Sequence, residues 1–182
     1  MIEFKFNKEK TTQAALLFLE KNNKSMNYMK LIKLLYLADR YALIHWERPL
    51  TGDNYVSMPL GPVVSQTYDM IRSKHYPYWN KHITYPSHYE VQIKEGLPEL
   101  GKLSKAETEL IDNLSTEHKN RDQYELKDYC HDECGEWEEI ESGSKPIHIE
   151  TILKEGNKTD EDIKRIKHEV TSLNYVNEML ST

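Results

Sequence analysis

The sequence predicts an α+β protein that is mainly α, with helices arranged around one central buried helix and a small β-hairpin. The strongest evidence is residues 26–46, where apolar side chains occur nearly all round a helix. In residues 75–100, by contrast, alternating apolar and polar residues and several prolines favour short strands. The length of 182 residues suits one domain over residues 1–182.

The N-terminal part of the chain is expected to form two helices. Residues 10–22 carry alanines, leucines and a phenylalanine at helical spacing, after a threonine that can cap the helix. A polar turn at 22–25 separates this helix from the central one over 26–46. Pro49 and Gly52 then end the central helix.

Three cations of the central helix lie on one narrow stripe. Lys30, Lys33 and Arg40 share a face because spacings of three and seven residues return to the same side of a helix. An anion or an acidic partner is one interpretation of this stripe. The simpler one is that these side chains extend to solvent or pair with acids such as Asp39.

The segment after the central helix contains the most specific local pattern. Residues 53–60 resemble a strand, and Gly61-Pro62 is expected to start a helix, since proline is tolerated at the first helical position. Tyr55 and Met58 are expected to be exposed or half-buried next to this turn. An aromatic ring and a thioether there suit a protein-binding groove, although scaffolding alone also accounts for them.

The region 75–100 is predicted to form a two-stranded hairpin joined through residues 86–88. It is rich in aromatic side chains. These are Tyr76, Tyr78, Trp79, Tyr85 and Tyr89. Such a composition is typical of a protein interface, and equally of a small aromatic core over the helices.

The second half of the chain is expected to be helical. Ser104 begins a capping box, and the helix that follows it should end near His118. Residues 123–133 are predicted to form another helix, and 147–153 a short helix or turn. The last helix is expected over 159–180, where an acidic first turn suits the helix dipole.

Composition and charge exclude several classes of protein. The net charge of -6 disfavours a nucleic-acid binder, because phosphate contacts need clustered cations. No apolar run approaches the length needed to span a bilayer, and the first residues lack the pattern of a signal peptide. We therefore expect a soluble, cytoplasmic protein without a membrane partner.

The chain's two cysteines lie close together in sequence. Cys130 and Cys134 share one helical face with His131 nearby, which suits zinc, but a fourth ligand is not evident. The acidic residues around Cys130 should raise the pKa of its thiol, which argues against a reactive cysteine. Two reduced thiols are the simpler interpretation, so we expect no metal, no cofactor and no catalytic residue.

Residues 30–71 resemble the core of the Panacea domain, the SocA-type antitoxin domain of the phage-associated protein family. The resemblance rests on a KLxKLLYxA helix, a GPVVxxxY segment, and a histidine followed six residues later by tryptophan. It covers about residues 8–155, with the helix of 159–180 beyond it. The matching residues are Lys33, Leu34, Leu35, Tyr36, Gly61, Pro62, Val63, Tyr68, His131 and Trp137.

The resemblance implies a type II antitoxin, associated with phage defence, that neutralises a toxin protein encoded next to it by direct contact. Tyr55, Met58 and the aromatic residues of 76–89 would then supply the partner-binding surface. The identity of the toxin, homo-oligomer formation and a protease-adaptor role stay open. A metal- or thiol-dependent hydrolase and a DNA-binding autorepressor are the alternatives; the charge of the chain disfavours the latter.

Overall fold

The computed structural model describes residues 1–180. Over that range it contains eight helices and six short strands, and helices form 56% of it, which confirms the mainly α prediction. The elements in chain order are α1 (Lys8–Lys21), β1 (Ser25–Asn27), α2 (Tyr28–Trp46), β2 (Tyr55–Met58), β3 (Gly61–Val64), α3 (Ser65–Ser73), α4 (Pro77–His82), β4 (Ile83–Thr84), β5 (Glu90–Ile93), α5 (Lys105–Glu117), α6 (Gln123–Glu133), β6 (Lys145–Ile147), α7 (Ile149–Glu155) and α8 (Asp160–Leu180).

Helix α2 lies at the centre of the fold, as predicted. Every residue from 31 to 39 is buried, because α1, α5, α6, α7 and β3 all pack against this helix. The Asn27 side chain caps its first turn by accepting a hydrogen bond from the Met29 amide, at 2.8 Å. The helix ends at Trp46, and the capping residue Glu47 adopts the left-handed conformation common after a helix.

The strands form two antiparallel three-stranded sheets, in the orders β1-β5-β4 and β3-β2-β6. The predicted hairpin is confirmed by the pairing of β4 with β5, where Ile83 lies opposite Ile93. The prolines of this region do not exclude a helix, because Pro77 begins the short helix α4. Proline is tolerated there because the first turn of a helix needs no intrahelical amide donor.

The prediction that Gly61-Pro62 starts a helix is wrong. Residues 61–64 form strand β3, which pairs with β2 so that Ser57 lies opposite Pro62, and the helix begins only at Ser65. Strand β3 is at the edge of its sheet, where a proline without an amide hydrogen is tolerated. Val63 and Val64 also favour a strand, since their branched side chains pack well on a sheet.

Helices α5 and α6 occupy the predicted positions, and the capping box at Ser104 is formed in both directions. The predicted short helix over 147–153 is confirmed as α7, which begins two residues later because Ile147 ends strand β6. Helix α8 buries Ile163, Ile166 and Val170 in the core. Glu47 adds a polar attachment, since its carboxylate accepts hydrogen bonds from Lys158 and Arg165. These bonds lower the pKa of Glu47 to about 2. No helix in the described range is both long and apolar enough to cross a membrane.

The carboxylate of Asp39 connects the central helix to the segment that enters β2. It accepts hydrogen bonds from the amides of Leu50 and Thr51, at 2.8 and 2.7 Å, and from the Thr51 hydroxyl. The Tyr55 hydroxyl donates a further bond at 3.0 Å. Burial raises the pKa of Asp39 to about 6, and the hydrogen bonds from Thr51 and Tyr55 oppose this rise. The buried acid therefore positions the whole chain segment that leads to the β2–β3 turn.

Replacing Asp39 with alanine should destabilise the protein by about 3 kcal/mol, because several buried donors lose their acceptor at once. Urea denaturation measures the change in unfolding free energy. Asp69→Ala is the control, since Asp69 is an exposed acid on α3 and its loss should change stability by no more than about 0.5 kcal/mol. Equal effects of the two substitutions would contradict the role given to Asp39.

Candidate functional site

An apolar groove of about 240 Å³ opens between the first turn of α2 and the β2–β3 turn. It is called the apolar groove below. Its walls come from three elements that the sequence places far apart, namely α2, the β2–β3 hairpin and α3. The lining residues are Tyr28, Met29, Ile32, Lys33, Met58, Pro59, Leu60, Val63 and Tyr68.

The tight turn between β2 and β3 shapes one wall of the groove. Gly61 has a φ of +100°, a conformation that residues with a side chain rarely adopt. A Cβ at this position would lie 2.8 Å from the Lys33 Nζ and 3.3 Å from the His131 Nε2. Only glycine therefore lets the turn approach α2 and α6 so closely. The turn leaves the side chain of Leu60 49% exposed at the rim of the groove.

Lys33 lies beneath this turn and is only 1% exposed. Its ammonium group donates a hydrogen bond to the carbonyl of Pro62, at 3.2 Å. Burial lowers the pKa of Lys33 to about 8, while the neighbouring thiols of Cys130 and Cys134 oppose the shift. The expected cationic surface stripe is therefore wrong for this residue, which supports the groove from inside.

The other two cations of the predicted stripe also have partners. Arg40 forms an ion pair with the buried Glu136, with 2.8 Å between Nε and Oε1, and Tyr36 donates its hydroxyl hydrogen to the same carboxylate. Lys30 donates to the carbonyl of Lys119, at 3.3 Å. The simpler interpretation of these cations, internal pairing, holds for Arg40, although the acid is Glu136 and not Asp39.

Two motif residues, His131 and Trp137, support the end of strand β2. The rings of His131 and Trp137 stack at a centroid distance of 3.8 Å and an angle of 9°. Trp137 donates its indole hydrogen to the carbonyl of Met58, at 3.1 Å. Burial lowers the pKa of His131, helped by Lys127 and Lys33, so the imidazole is neutral near pH 7. Its buried Nε2 has no hydrogen-bond partner within residues 1–180.

A second concave surface, called the basic pocket below, adjoins the apolar groove and has a volume of about 480 Å³. The two surfaces share Tyr28 and Tyr68, whose rings lie 6.3 Å apart. Arg72 lies over the ring of Tyr68, and Lys74 lies over the ring of Tyr85. The lining residues are Tyr28, Tyr68, Ile71, Arg72, Lys74, Tyr85 and His88.

Two residues predicted to bind a partner belong to the core. Tyr55 is 3% exposed, because its hydroxyl binds Asp39 and its ring packs edge-on against Tyr36. Trp79 is 1% exposed, and its indole N–H donates a hydrogen bond to the Tyr85 hydroxyl. The expectation that Tyr55 is exposed or half-buried is therefore wrong, and burial leaves neither side chain available to a partner.

The other predicted binding residues retain accessible surface. Met58 lies in the groove, Tyr85 in the basic pocket, and Tyr89 is 62% exposed beside Tyr28. Tyr76 and Tyr78 are half-buried on and next to α4, away from the groove lining. The hairpin aromatics thus divide between a small core and a surface, which are the two interpretations that the sequence left open.

Sequence reasoning missed several groove residues. Tyr28 and Ile32 are four residues apart at the start of α2, which places them on one face, and Leu60 occupies the tip of a Pro-Leu-Gly turn. These patterns are signals of a shared helix face and an exposed turn. They do not by themselves distinguish a groove from the core, because apolar residues at the end of a buried helix usually belong to the core.

The two thiols are both buried, and they are hydrogen-bonded to each other. This bond lowers the pKa of Cys130 and raises that of Cys134. The expected rise for Cys130 is therefore wrong, since the neighbouring thiol outweighs the effects of burial and Glu136. Within residues 1–180, no group of three His, Cys, Asp or Glu side chains is placed to hold a metal ion.

The ten motif residues fall into two groups. Leu34, Leu35 and Tyr36 are fully buried in the core. The remaining ones surround the apolar groove, either lining it or supporting the turn beside it. They are Lys33, Gly61, Pro62, Val63, Tyr68, His131 and Trp137.

Lys33 should make stability depend on pH above neutrality. Its pKa of about 8 lies below the ordinary 10.5, so unfolding takes up a proton and stability rises as pH increases through this range. Relative to Lys33→Met, the wild-type unfolding free energy should rise by about 2 kcal/mol between pH 7 and 9.5. Denaturation at both pH values tests this. The exposed Lys105, replaced by Met, is the control, and parallel wild-type and Lys33→Met profiles would refute the prediction.

Comparison with protein-family models matches residues 31–138 to the family described as Antitoxin SocA-like, Panacea domain. The match covers more than half of the 182 residues and includes every motif residue around the groove. Neither the comparison with curated proteins nor that with solved structures gave a match. The chain belongs to the SocA-like Panacea-domain antitoxin family.

Proposed function

We propose that this protein is a type II antitoxin that neutralises a toxin protein by direct binding, and that the toxin docks in the apolar groove. The observation that carries the proposal is the convergence of family-motif residues on this groove. Three residues that lie far apart in the sequence support the same turn, namely Lys33, Gly61 and Trp137. Residues that merely stabilise a core would not need to meet beside an open surface.

The groove has the properties of a protein-binding site. Its exposed rim includes Leu60 and its walls include Met58 and Tyr68, which are residue types suited to the apolar centre of an interface. Burying one large apolar side chain of the toxin there would contribute about 2 kcal/mol. Several such contacts at the centre of an interface are enough to dominate binding.

Rigidity of the groove should strengthen binding. The Trp137 indole holds the carbonyl of Met58, and the Lys33 ammonium holds that of Pro62, so both strands of the turn are fixed from inside. A preformed surface loses little conformational entropy when a partner docks. Neutralisation then follows from occlusion: the bound antitoxin covers the active surface of the toxin, and no chemical step is required.

The partner in this proposal is a toxin encoded next to the antitoxin, and the complex forms in the cytoplasm. The alternative of a hydrolase centred on Cys130, His131 and Cys134 has less support. The two thiols are buried against each other, and the His131 ring is stacked on Trp137. No contact in residues 1–180 favours a protease adaptor over the simple inhibitor.

Leu60→Asp should abolish neutralisation without unfolding the protein, because it places a charge at the rim of the groove, on a side chain that is already half exposed. The measurement is growth of cells that co-express the neighbouring toxin with each variant. Leu97→Asp makes the same chemical change at an exposed leucine of the loop after β5 and should neutralise like the wild type.

Circular dichroism of both variants controls for folding. If Leu60→Asp is folded and still protects the cells, the groove is not the docking site. If the wild-type protein fails to reduce the toxicity of its neighbour, the antitoxin proposal itself fails.

A further inference from the structure

One stretch of the chain differs in charge from the acidic chain as a whole. Residues 70–89 contain no aspartate or glutamate, although the whole chain has 30 acidic residues against 24 lysines and arginines. The same stretch holds Arg72, Lys74 and Lys81, together with three histidines. An acid-free, cationic segment in an acidic protein is therefore a local feature of the surface and not a consequence of composition.

The fold gathers part of this segment around the basic pocket. Arg72, Lys74 and His88 are exposed and line it, and no carboxylate lies among its lining residues. Within residues 1–180, neither Arg72 nor Lys74 forms an ion pair, and each lies over a tyrosine ring. The rings orient the two cations and leave their charge unneutralised.

The basic pocket is continuous with the apolar groove through Tyr28 and Tyr68. A partner segment that fills the groove would therefore pass directly over Arg72 and Lys74. The guanidinium group of Arg72 suits a carboxylate in particular, because its planar donors match two oxygens at once.

We infer that the toxin segment docked in the apolar groove carries aspartate or glutamate side chains beside its apolar contact residues, and that these carboxylates bind Arg72 and Lys74 in the basic pocket. This inference rests on the proposed function. It specifies the chemistry of the partner, which is an apolar and acidic protein segment.

The surroundings favour an acidic protein over a nucleic acid. Outside residues 70–89 the chain is strongly acidic, so a long polyanion would be repelled over most of the surface. The adjoining apolar groove offers Met29, Ile32 and Val63, which suit apolar side chains and not phosphates. A short segment with few carboxylates meets the cations without extending over the acidic remainder.

The test is the affinity of the purified full-length protein for its neighbouring toxin, measured by calorimetry for Arg72→Glu/Lys74→Glu. We expect the dissociation constant to rise about tenfold or more, because like charges would face each other across the interface. The wild-type affinity should also fall as salt is added, and this salt dependence should weaken in the variant.

The matched control is Lys105→Glu/Lys164→Glu, which also replaces two exposed cations with acids but lies on α5 and α8. It should bind like the wild type. A second variant, Arg72→Gln/Lys74→Gln, removes the charges without reversing them and should have an intermediate affinity. Replacing the facing toxin acids with lysine should restore binding to Arg72→Glu/Lys74→Glu.

The outcomes separate this inference from the proposed function. If Leu60→Asp abolishes binding while Arg72→Glu/Lys74→Glu binds normally, the groove is the docking site and the acidic-partner inference is overturned. A nucleic-acid duplex provides a second comparison. If the wild type binds the duplex, and Arg72→Glu/Lys74→Glu weakens that binding but leaves toxin binding unchanged, the basic pocket binds nucleic acid and the inference is likewise wrong. If the wild type binds no toxin, both fail.

Discussion

The structure depends on polar side chains that the central helix α2 buries along with its apolar ones. Lys33, Tyr36 and Asp39 all lie in the run of α2 that is enclosed on every side. A buried polar group without a partner is costly, so each of them requires a partner from another part of the chain. Asp39 is satisfied by the segment that enters β2, Tyr36 by Glu136 after α6, and Lys33 by the β2–β3 turn.

Two of these connections, those of Asp39 and Lys33, also explain how a surface groove arises beside a core helix. The segment after α2 is fixed at its start by Asp39 and at its far end by Lys33, so the hairpin between them has little freedom. Trp137 adds a third support at Met58. The groove is thus a rigid consequence of satisfying buried polar groups, and the motif residues that stabilise the fold also shape the proposed docking surface.

Local patterns predicted the helices well and the site only in part. The apolar periodicity of 26–46 and the capping box at Ser104 depend on neighbouring residues alone, which is why both appear where expected. Pro62 favours a helix start, but residues 61–64 form strand β3, because pairing with β2 across a tight turn outweighs this preference. Burial of Tyr55 likewise depends on Asp39, sixteen residues earlier in the chain. Short motifs thus identified the residues that matter, while the place of each residue in the interior or on the surface is decided by contacts that only the fold provides.

The most direct test of the central claim is oxidative footprinting of side chains in the free antitoxin and in its complex with the neighbouring toxin. Hydroxyl radicals modify accessible methionine, leucine and tyrosine side chains. The apolar groove contains all three residue types, so its exposure can be followed at Met58, Leu60 and Tyr68. The account predicts that these three lose reactivity in the complex while Leu173 and Tyr175, which are exposed on α8 and do not line the groove, keep it. Unchanged reactivity at Met58, Leu60 and Tyr68, with protection on α8, would contradict it.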